Sequence, residues 1–313
     1  MPETQGILYF SKLQYRMSLK SLLYFLLLIG LPFTLPAQKV VALTIDGTIN
    51  PVAASFIDRG IEKAEKENAE CLLIYINTPG GLLKSTRVIV GSILDAPVPV
   101  VAYVSPAGAH AGSAGVFVTM AAHIAAMAPG TNIGAAHPVS MQGGMDTTMN
   151  EKATNDAIAF IRTIAEKRNR NVQWAEEAVR KSVSITGAEA LQQKVIDLMA
   201  VNTKNLLEQI DGRNVEVSSG TVTLHTKGAQ VTNLEMTFIE KILNIVSDPN
   251  IAYILLMLGF YGLLFELYNP GAIFPGIVGV IGLILGLYSL HTLPINYAGL
   301  ALIVFGIILF LLE

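Results

Sequence analysis

The chain has 313 residues and a net charge of −3, its mean hydropathy is +0.51, and 14% of its residues are charged. An ordinary soluble protein carries about 25% charged residues, so part of this chain is expected in a membrane. The small negative charge gives no electrostatic case for binding nucleic acid. A single cysteine excludes an internal disulfide, and no cluster of His, Cys, Asp and Glu has metal-ligand spacing.

Residues 1–37 are predicted to be a signal peptide or an N-terminal membrane segment. Three basic residues precede the apolar stretch 22–35, and Ala37 closes a small-residue cleavage site. An uncleaved anchor is the alternative to cleavage. Under either interpretation we expect the domain that starts at Gln38 on the extracytoplasmic side of a bacterial-type plasma membrane.

Residues 38–233 alternate between apolar runs and amphipathic segments, which predicts one α/β domain. Runs that are apolar on both faces and are separated by helices indicate parallel strands covered on both sides. The predicted strands are 39–45, 71–76, 97–104 and 124–128, and the predicted helices are 53–68, 82–94, 113–123, 150–169 and one from Val172. Thr186 and Glu189 have the spacing of a capping box, and a small β appendage follows near 211–225.

The C-terminal part is predicted to be membrane-associated. Residues 234–250 read as a juxtamembrane amphipathic helix, and 251–313 as about three transmembrane helices of the length that spans a bilayer. Recurrent glycines in the middle apolar segment favour close helix packing. Because the chain ends directly after an apolar span, we expect further sequence beyond Glu313.

Two small-residue motifs suggest acyl-transfer chemistry. Ser113 lies in a run of alanines and glycines, 109–115, where a hydroxyl can meet a substrate without side-chain obstruction. The turn 77–81 ends an apolar strand with Gly80 and Gly81, whose backbone N–H groups can face a developing oxyanion. Together these motifs indicate a serine hydrolase.

A serine nucleophile needs a base, and the residues themselves leave two candidates open. Lys152 starts a long predicted helix, but a lysine must be desolvated before it can accept a proton. His137, in the preceding loop, needs no such change. His110 and His123 are poor candidates because of their positions along the chain relative to Ser113.

The segments 77–81, 112–115, 126–135 and 152–155 resemble the NfeD family of membrane-bound serine proteases. That family belongs to the superfamily of Clp protease and signal peptide peptidase A. The resemblance implies a ClpP/crotonase-like domain of repeated ββα units, followed by transmembrane helices. It further implies a homodimer or higher homo-oligomer. No cofactor is expected, because the turn 79–81 has neither the G-x-G-x-x-G spacing nor the Walker lysine of a nucleotide-binding loop.

The resemblance assigns a Ser-Lys dyad to Ser113 and Lys152, with His137 kept as the alternative base. It places the oxyanion hole at the backbone N–H groups of Gly81 and Ala114, although Gly80 and Gly81 are hard to separate. The implied substrate is an apolar segment of a stomatin-like membrane partner. Such a segment would fit a site lined by small and apolar residues: Gly80, Leu82, Leu83, Val116 and Val139.

Two other functional classes remain open. In an inactive scaffold that organises a stomatin-like protein, Ser113 would be an ordinary N-cap of its helix. A crotonase acting on acyl-thioesters would also use paired backbone N–H groups, but export argues against that substrate class.

Overall fold

The computed structural model describes residues 38–139, 147–269 and 273–289, and beyond these 299, 301–302, 304–306 and 308–309. The predicted export segment 1–37 therefore lies outside the described residues. The same is true of the predicted loop 142–146 and of most of the third predicted membrane segment.

A six-stranded sheet in which every pairing is parallel forms the centre of the N-terminal domain. Its order is β11-β1-β2-β3-β5-β8, formed by β1 (Lys39–Asp46), β2 (Cys71–Asn77), β3 (Val100–Val104), β5 (Ile124–Met127), β8 (Leu198–Met199) and β11 (Gln230–Asn233). A three-stranded sheet contains β4 (His110–Ala111), β6 (Asn132–Gly134) and β7 (Ser184–Thr186), and β9 (Asn214–Val217) pairs with β10 (Gly220–Thr223).

Seven helices belong to the described part of this domain. They are α1 (Pro51–Lys66), α2 (Leu83–Leu94), α3 (Ala114–Ala121), α4 (Thr147–Lys167), α5 (Val172–Arg180), α6 (Gly187–Gln192) and α7 (Thr203–Ile210). The capping box of Thr186 and Glu189 begins α6, as predicted.

Both faces of the central sheet are covered, which confirms the α/β fold class. Val41 and Leu43 belong to one buried core, together with apolar residues of α1 to α5. Val40 and Ala42 point the other way into a second core with residues of α7. This alternation along one strand is what a buried parallel sheet requires.

The region predicted as a β appendage divides between two structures. β9 and β10 form a separate hairpin, whereas β11 joins the edge of the central sheet beside β1. Two backbone bonds extend that pairing, from Gln230 N–H to the Gln38 carbonyl and from Leu234 N–H to the Ala42 carbonyl, at 2.7 Å each. β11 is thus the edge strand, and it bonds the backbone groups of β1 that would otherwise be exposed.

Within residues 238–289 as described, three helices follow the domain: α8 (Phe238–Val246), α9 (Pro249–Tyr268) and α10 (Ile273–Ser289). The described residues between 299 and 309 are helical as well. In the described residues, α9 alone is long and apolar enough to cross a membrane, and α10 is apolar but shorter. A Cβ on Gly262 would lie 2.9 Å from Gly279 Cα, so these two helices contact each other through their glycines. This agrees with the predicted close packing.

Candidate active site

The glycine turn after β2 and the loop before α3 are hydrogen-bonded to each other. Thr78 N–H donates to the His110 carbonyl at 2.8 Å, and Gly112 N–H donates to the Thr78 carbonyl at 2.9 Å. The Thr78 hydroxyl, fully buried, also accepts from Gly80 N–H at 3.0 Å. These bonds place the two predicted motifs side by side. Thr78 was not singled out from the sequence, because its role depends on contacts across more than thirty residues.

Ser113 directly precedes α3 in a conformation that L residues rarely adopt. Its φ is 47° and its ψ is −109°, and its side chain makes no capping hydrogen bond. Its N–H donates to the Ala135 carbonyl at 2.7 Å, which fixes the backbone. Such conformations cost about 1–3 kcal/mol each and cluster at functional sites. The hydroxyl is therefore left free by the helix that it precedes.

Gly80 lies against Ser113. A Cβ at Gly80 would be 2.5 Å from Ser113 Cβ and 3.1 Å from its Oγ, and the φ of Gly80 is +132°. Both the space and the backbone conformation therefore require glycine at this position. The two glycines of the turn have different neighbours. Gly80 permits the close approach of Ser113, whereas Gly81 pairs with Ile49 in a parallel β-bridge.

Two backbone donors next to Ser113 have no partner among the described residues. Ile49 N–H donates to the Gly80 carbonyl and Leu82 N–H donates to the Ile49 carbonyl, a pattern that leaves Gly81 N–H unused. Ala114 is the first residue of α3, where N–H groups lack partners within the helix. Free donors at a helix N-terminus favour negative charge.

A cavity of about 580 Å³ opens over Ser113, Gly81 and Ala114. Of the residues predicted to line it, four do so: Gly80, Leu82, Leu83 and Val139. Val116 does not, because it is fully buried in the core below α3. Phe117 and Ala157 add further apolar wall, so the cavity suits an apolar ligand.

His137 lines this cavity. Its Nδ1 lies 2.9 Å from the Val179 carbonyl, which can only accept, so the proton of a neutral ring is placed on Nδ1. The Nε2 lone pair is then available as a base. Ala136 N–H donates to the Ala178 carbonyl at 2.8 Å and holds the loop against α5.

Lys152 is not among the residues that line the cavity. Its side chain is exposed on α4, whereas Ala157 on the same helix does line the cavity. Five residues along an α-helix correspond to a rotation of about 140°, so the two side chains leave α4 in different directions. Of the two predicted bases, the structure brings His137 to the cavity and leaves Lys152 outside it.

Two arginines bind the opposite end of α3, and neither was singled out from the sequence. Arg168 Nε donates to the Ala121 carbonyl at 2.7 Å, and Arg170 Nη1 donates to the Thr119 and Met120 carbonyls. The Arg170 side chain is 2% exposed and is paired with Asp197 at 2.6 Å. These contacts cross about fifty residues of sequence, and the pattern around Arg168 and Arg170 gives no signal for them.

His123 lies beside this arginine pair as a neutral ring. Burial, together with the charges of Arg168 and Arg170, lowers the pKa of His123 to about 3. Its Nδ1 accepts from Val100 N–H at 3.1 Å. This confirms that His123 is a poor candidate for the base, because it packs at the end of α3 that is remote from Ser113.

Cys71 is a structural residue of the central sheet. Cys71 is buried in β2, and burial raises the pKa of its thiol to about 12, so the thiol is inert. No group of three or more His, Cys, Asp or Glu side chains in the described ranges is arranged to hold a metal ion.

Comparison with known proteins identifies two regions of one family. The model of the NfeD1b N-terminal domain matches residues 39–237, and that of the NfeD integral membrane domain matches 250–313. A membrane-bound protease of Pyrococcus horikoshii is 36% identical over 297 residues, which are 93% of this chain and 67% of that protein. The membrane protein NfeD1b of Bacillus subtilis is 31% identical over 296 residues, 93% of this chain and 66% of that protein. The chain thus spans about two thirds of each relative's length.

Solved structures of a stomatin-specific membrane protease resemble the N-terminal part. A lysine-to-alanine variant in complex with a substrate peptide is 34% identical, with a TM-score of 0.62 over 68% of this chain and 99% of the other. The membrane protease specific for a stomatin homolog from Pyrococcus horikoshii has a TM-score of 0.59 at 34% identity, over 67% of this chain and 99% of the other. With its protease-like N-terminal domain and its integral membrane domain, this chain belongs to the NfeD family of membrane proteases.

Proposed function

We propose that this protein is a membrane-anchored serine endopeptidase that cleaves an apolar segment of a stomatin-like membrane partner. One observation carries the proposal: the uncapped hydroxyl of the strained Ser113 shares a cavity with the unpaired N–H groups of Gly81 and Ala114. A nucleophile, an oxyanion hole and an apolar wall are the parts that peptide hydrolysis needs.

In the proposed reaction, Ser113 Oγ attacks the scissile carbonyl carbon while the base removes its proton. The carbonyl oxygen becomes an oxyanion that accepts hydrogen bonds from Gly81 and Ala114 N–H. The tetrahedral intermediate then expels the amine, which takes the proton back from the base, and leaves an acyl group on Ser113. Water, deprotonated by the same base, hydrolyses that ester and releases the second product.

Lys152 is the base that we favour. Relatives have been solved as a serine-to-alanine variant and as a lysine-to-alanine variant with substrate peptide, and the two substituted residues are separated by nearly the same interval as Ser113 and Lys152. A neutral lysine requires desolvation, whereas Lys152 is exposed. The proposal therefore requires the first turns of α4 to turn Lys152 towards the cavity when substrate binds.

His137 is the second candidate for the base, because it already lines the cavity and its Nε2 carries the lone pair when Nδ1 donates to the Val179 carbonyl. In this variant of the mechanism α4 stays in place and Lys152 is an ordinary surface residue. The two mechanisms predict different responses to substitution of Lys152 and of His137.

The substrate class rests on the cavity wall and on the relatives. Leu82, Leu83 and Phe117 present apolar surface next to Ser113. The solved relatives are described as specific for stomatin or a stomatin homolog. The extracytoplasmic orientation and the homo-oligomeric state expected from the sequence stay predictions.

An inactive scaffold is the alternative function. In such a scaffold Ser113 would serve as a helix N-cap, yet its side chain makes no capping hydrogen bond. The N-cap side chains of three other helices do make such bonds: Asn50, Thr186 and Thr237. A scaffold also gives no reason for the strained φ of Ser113.

The test is cleavage of apolar peptides by the full chain in liposomes, compared between Lys152→Ala and His137→Ala. The matched control is Lys167→Ala, an exposed lysine at the other end of α4. With Lys152 as base, its replacement lowers kcat/KM by several orders of magnitude, whereas His137→Ala retains cleavage. If His137→Ala alone abolishes cleavage, the Ser-His mechanism is correct. Absence of cleavage by a folded wild type would support the scaffold.

A further inference from the structure

Helix α8 exposes its apolar side chains. Phe238, Ile239, Ile242 and Ile245 are 78%, 68%, 44% and 60% exposed, and α8 has no buried residue. At 100° per residue these four side chains fall within an arc of about 120°, so they form one continuous face. We refer to it as the apolar face of α8.

The opposite face of α8 binds the protease domain. Glu240 accepts from Arg59 of α1 through both carboxylate oxygens, at 2.6 and 3.1 Å. One turn later, Asn244 accepts from Asn50 Nδ2 at 2.8 Å, and Asn50 is the N-cap of α1. The helix therefore contacts its own domain through polar groups.

This orientation is the reverse of that found for a helix on a soluble protein. An amphipathic helix on a globular domain turns its apolar stripe to the core and its polar stripe to water. Here Glu240 and Asn244 face the domain, and Phe238, Ile239 and Ile242 face away from it. Ile245, at the margin of the apolar face, also borders the groove that Asn244 lines. The apolar face consequently needs an apolar surrounding outside the described residues.

The position of α8 in the chain identifies that surrounding. α8 ends at Val246, and α9, the helix long and apolar enough to cross a membrane, begins at Pro249. α9 also exposes large side chains, among them Tyr253, Ile254 and Met257. The integral membrane domain of the family starts at residue 250.

We infer that α8 lies in the interface of the lipid bilayer, with its apolar face among the acyl chains and its polar face holding the protease domain. Interfacial helices have this division, with Phe and other large apolar residues on the inserted side. The occupant of the apolar face is thus a lipid surface that is continuous with the lipid around α9.

The contact between α8 and the protease domain also determines where the candidate active site lies relative to the membrane. A groove between α8, α9 and the loop after β1 is lined by Thr48, Asn244 and Ile251, and Thr48 also lines the cavity over Ser113. If the proposed peptidase function holds, α8 keeps that cavity next to the membrane surface, where a segment of a membrane partner would emerge. The inference about α8 itself does not depend on that function.

Spin labels on single cysteines test the inference in the full chain. Cys71 is buried with a raised pKa, so introduced surface cysteines can be labelled selectively. The test positions are Ile239→Cys and Ile245→Cys. The matched control is Val201→Cys, which is 68% exposed, like Ile239, but lies next to α7 in the protease domain.

The labelled chains are placed in phosphatidylcholine–phosphatidylglycerol liposomes, and collisions of the label with oxygen and with a water-soluble nickel chelate are measured. We expect the ratio of nickel to oxygen accessibility to be several-fold lower at 239 and 245 than at 201. Equal ratios at all three positions would overturn the inference, because α8 would then lie in water. Protection from both oxygen and nickel at 239 would also overturn it, since a protein would then cover the apolar face.

Discussion

The two ends of α3 differ in how completely their backbone N–H and carbonyl groups are hydrogen-bonded. At the N-terminal end, Ser113 is strained and uncapped, and Ala114 N–H has no partner in the described part of the chain. At the C-terminal end, the carbonyls of Thr119, Met120 and Ala121 all accept from arginine side chains. One helix of eight residues thus combines a free N–H at its first residue with a C-terminal end whose last carbonyls are bonded. At that C-terminal end the Thr119 hydroxyl and Arg170 Nε are buried without a partner in the described part of the chain.

This difference shows how a strained conformation can persist in a stable domain. A strained residue keeps its conformation only if the surrounding structure determines it. The helix is buried along its whole length, and two cations hold its carbonyl end, where positive charge is favourable. Its position is therefore fixed independently of Ser113, so the Ser113 end can keep free donors and a free hydroxyl.

The largest effect on stability is expected from Arg170→Ala, which breaks the bonded end. It leaves Asp197 and two helix carbonyls without their buried partner, so the free energy of unfolding should fall by about 3–5 kcal/mol. Urea unfolding can be followed by the fluorescence of Trp174, which is buried and is the one tryptophan of the sequence. The control is Arg162→Ala, whose ion pair with Glu176 lies at the surface and should contribute far less to the free energy of unfolding. Equal losses in both variants would contradict the assigned role of Arg170.

Gly80→Ala should disturb the reactive end. The added Cβ would meet Ser113 at 2.5 Å, and the φ of +132° is unfavourable for alanine, so we expect a loss of about 2–3 kcal/mol together with loss of cleavage. Gly108→Ala is a matched control, because its φ is also positive, at +87°, but nothing lies within 4 Å. It should lose about 1 kcal/mol and keep its cleavage rate. Similar rates in both variants would show that Gly80 does not shape the site.

His123, next to the C-terminal end of α3, should make the free energy of unfolding decrease at acidic pH. Its pKa is about 3 in the folded state and about 6.5 in the unfolded chain, so between these values the unfolded state binds more protons. Stability therefore rises with pH in this window and should fall by up to about 2 kcal/mol from pH 6.5 to pH 5. His123→Asn, whose amide oxygen can still accept from Val100 N–H, should lack this part of the pH dependence. A wild-type and a variant curve of the same slope would refute the prediction.

Ser113→Gly should have the smallest effect on stability, and in the opposite direction. Glycine tolerates a φ of 47°, so the free energy of unfolding should rise by about 1 kcal/mol while cleavage is lost. Lys194→Gly, at another residue of positive φ, should leave cleavage unchanged. A loss of stability in Ser113→Gly would mean that the serine side chain stabilises α3.

Local patterns in the sequence predicted most of the fold. The strands at 39–45 and 71–76 and the capping box of Thr186 depend on neighbouring residues, and the structure has each of them within one residue. The place of β11 beside β1 could not be predicted, because its partner lies about 190 residues earlier in the chain. A pairing at that distance leaves no local periodicity.

The candidate site was predictable in its motifs and not in its geometry. Small residues around Ser113 and the paired glycines indicated where backbones approach closely, and the structure places both motifs at one cavity. Lys152 points away from that cavity because of how α4 is rotated about its axis. A helix predicted from sequence, with ends known only to within a few residues, does not specify that rotation. The arginine contacts to α3 are tertiary and follow no spacing rule.

Cleavage of an apolar peptide by the full chain in liposomes, wild type beside Ser113→Ala, is the most direct test of the proposed function. Alanine removes the hydroxyl and adds no volume, so the variant should unfold at the same urea concentration as the wild type. We predict that Ser113→Ala reduces cleavage to the uncatalysed rate. Cleavage retained by the folded Ser113→Ala variant would contradict the assignment of Ser113 as the nucleophile.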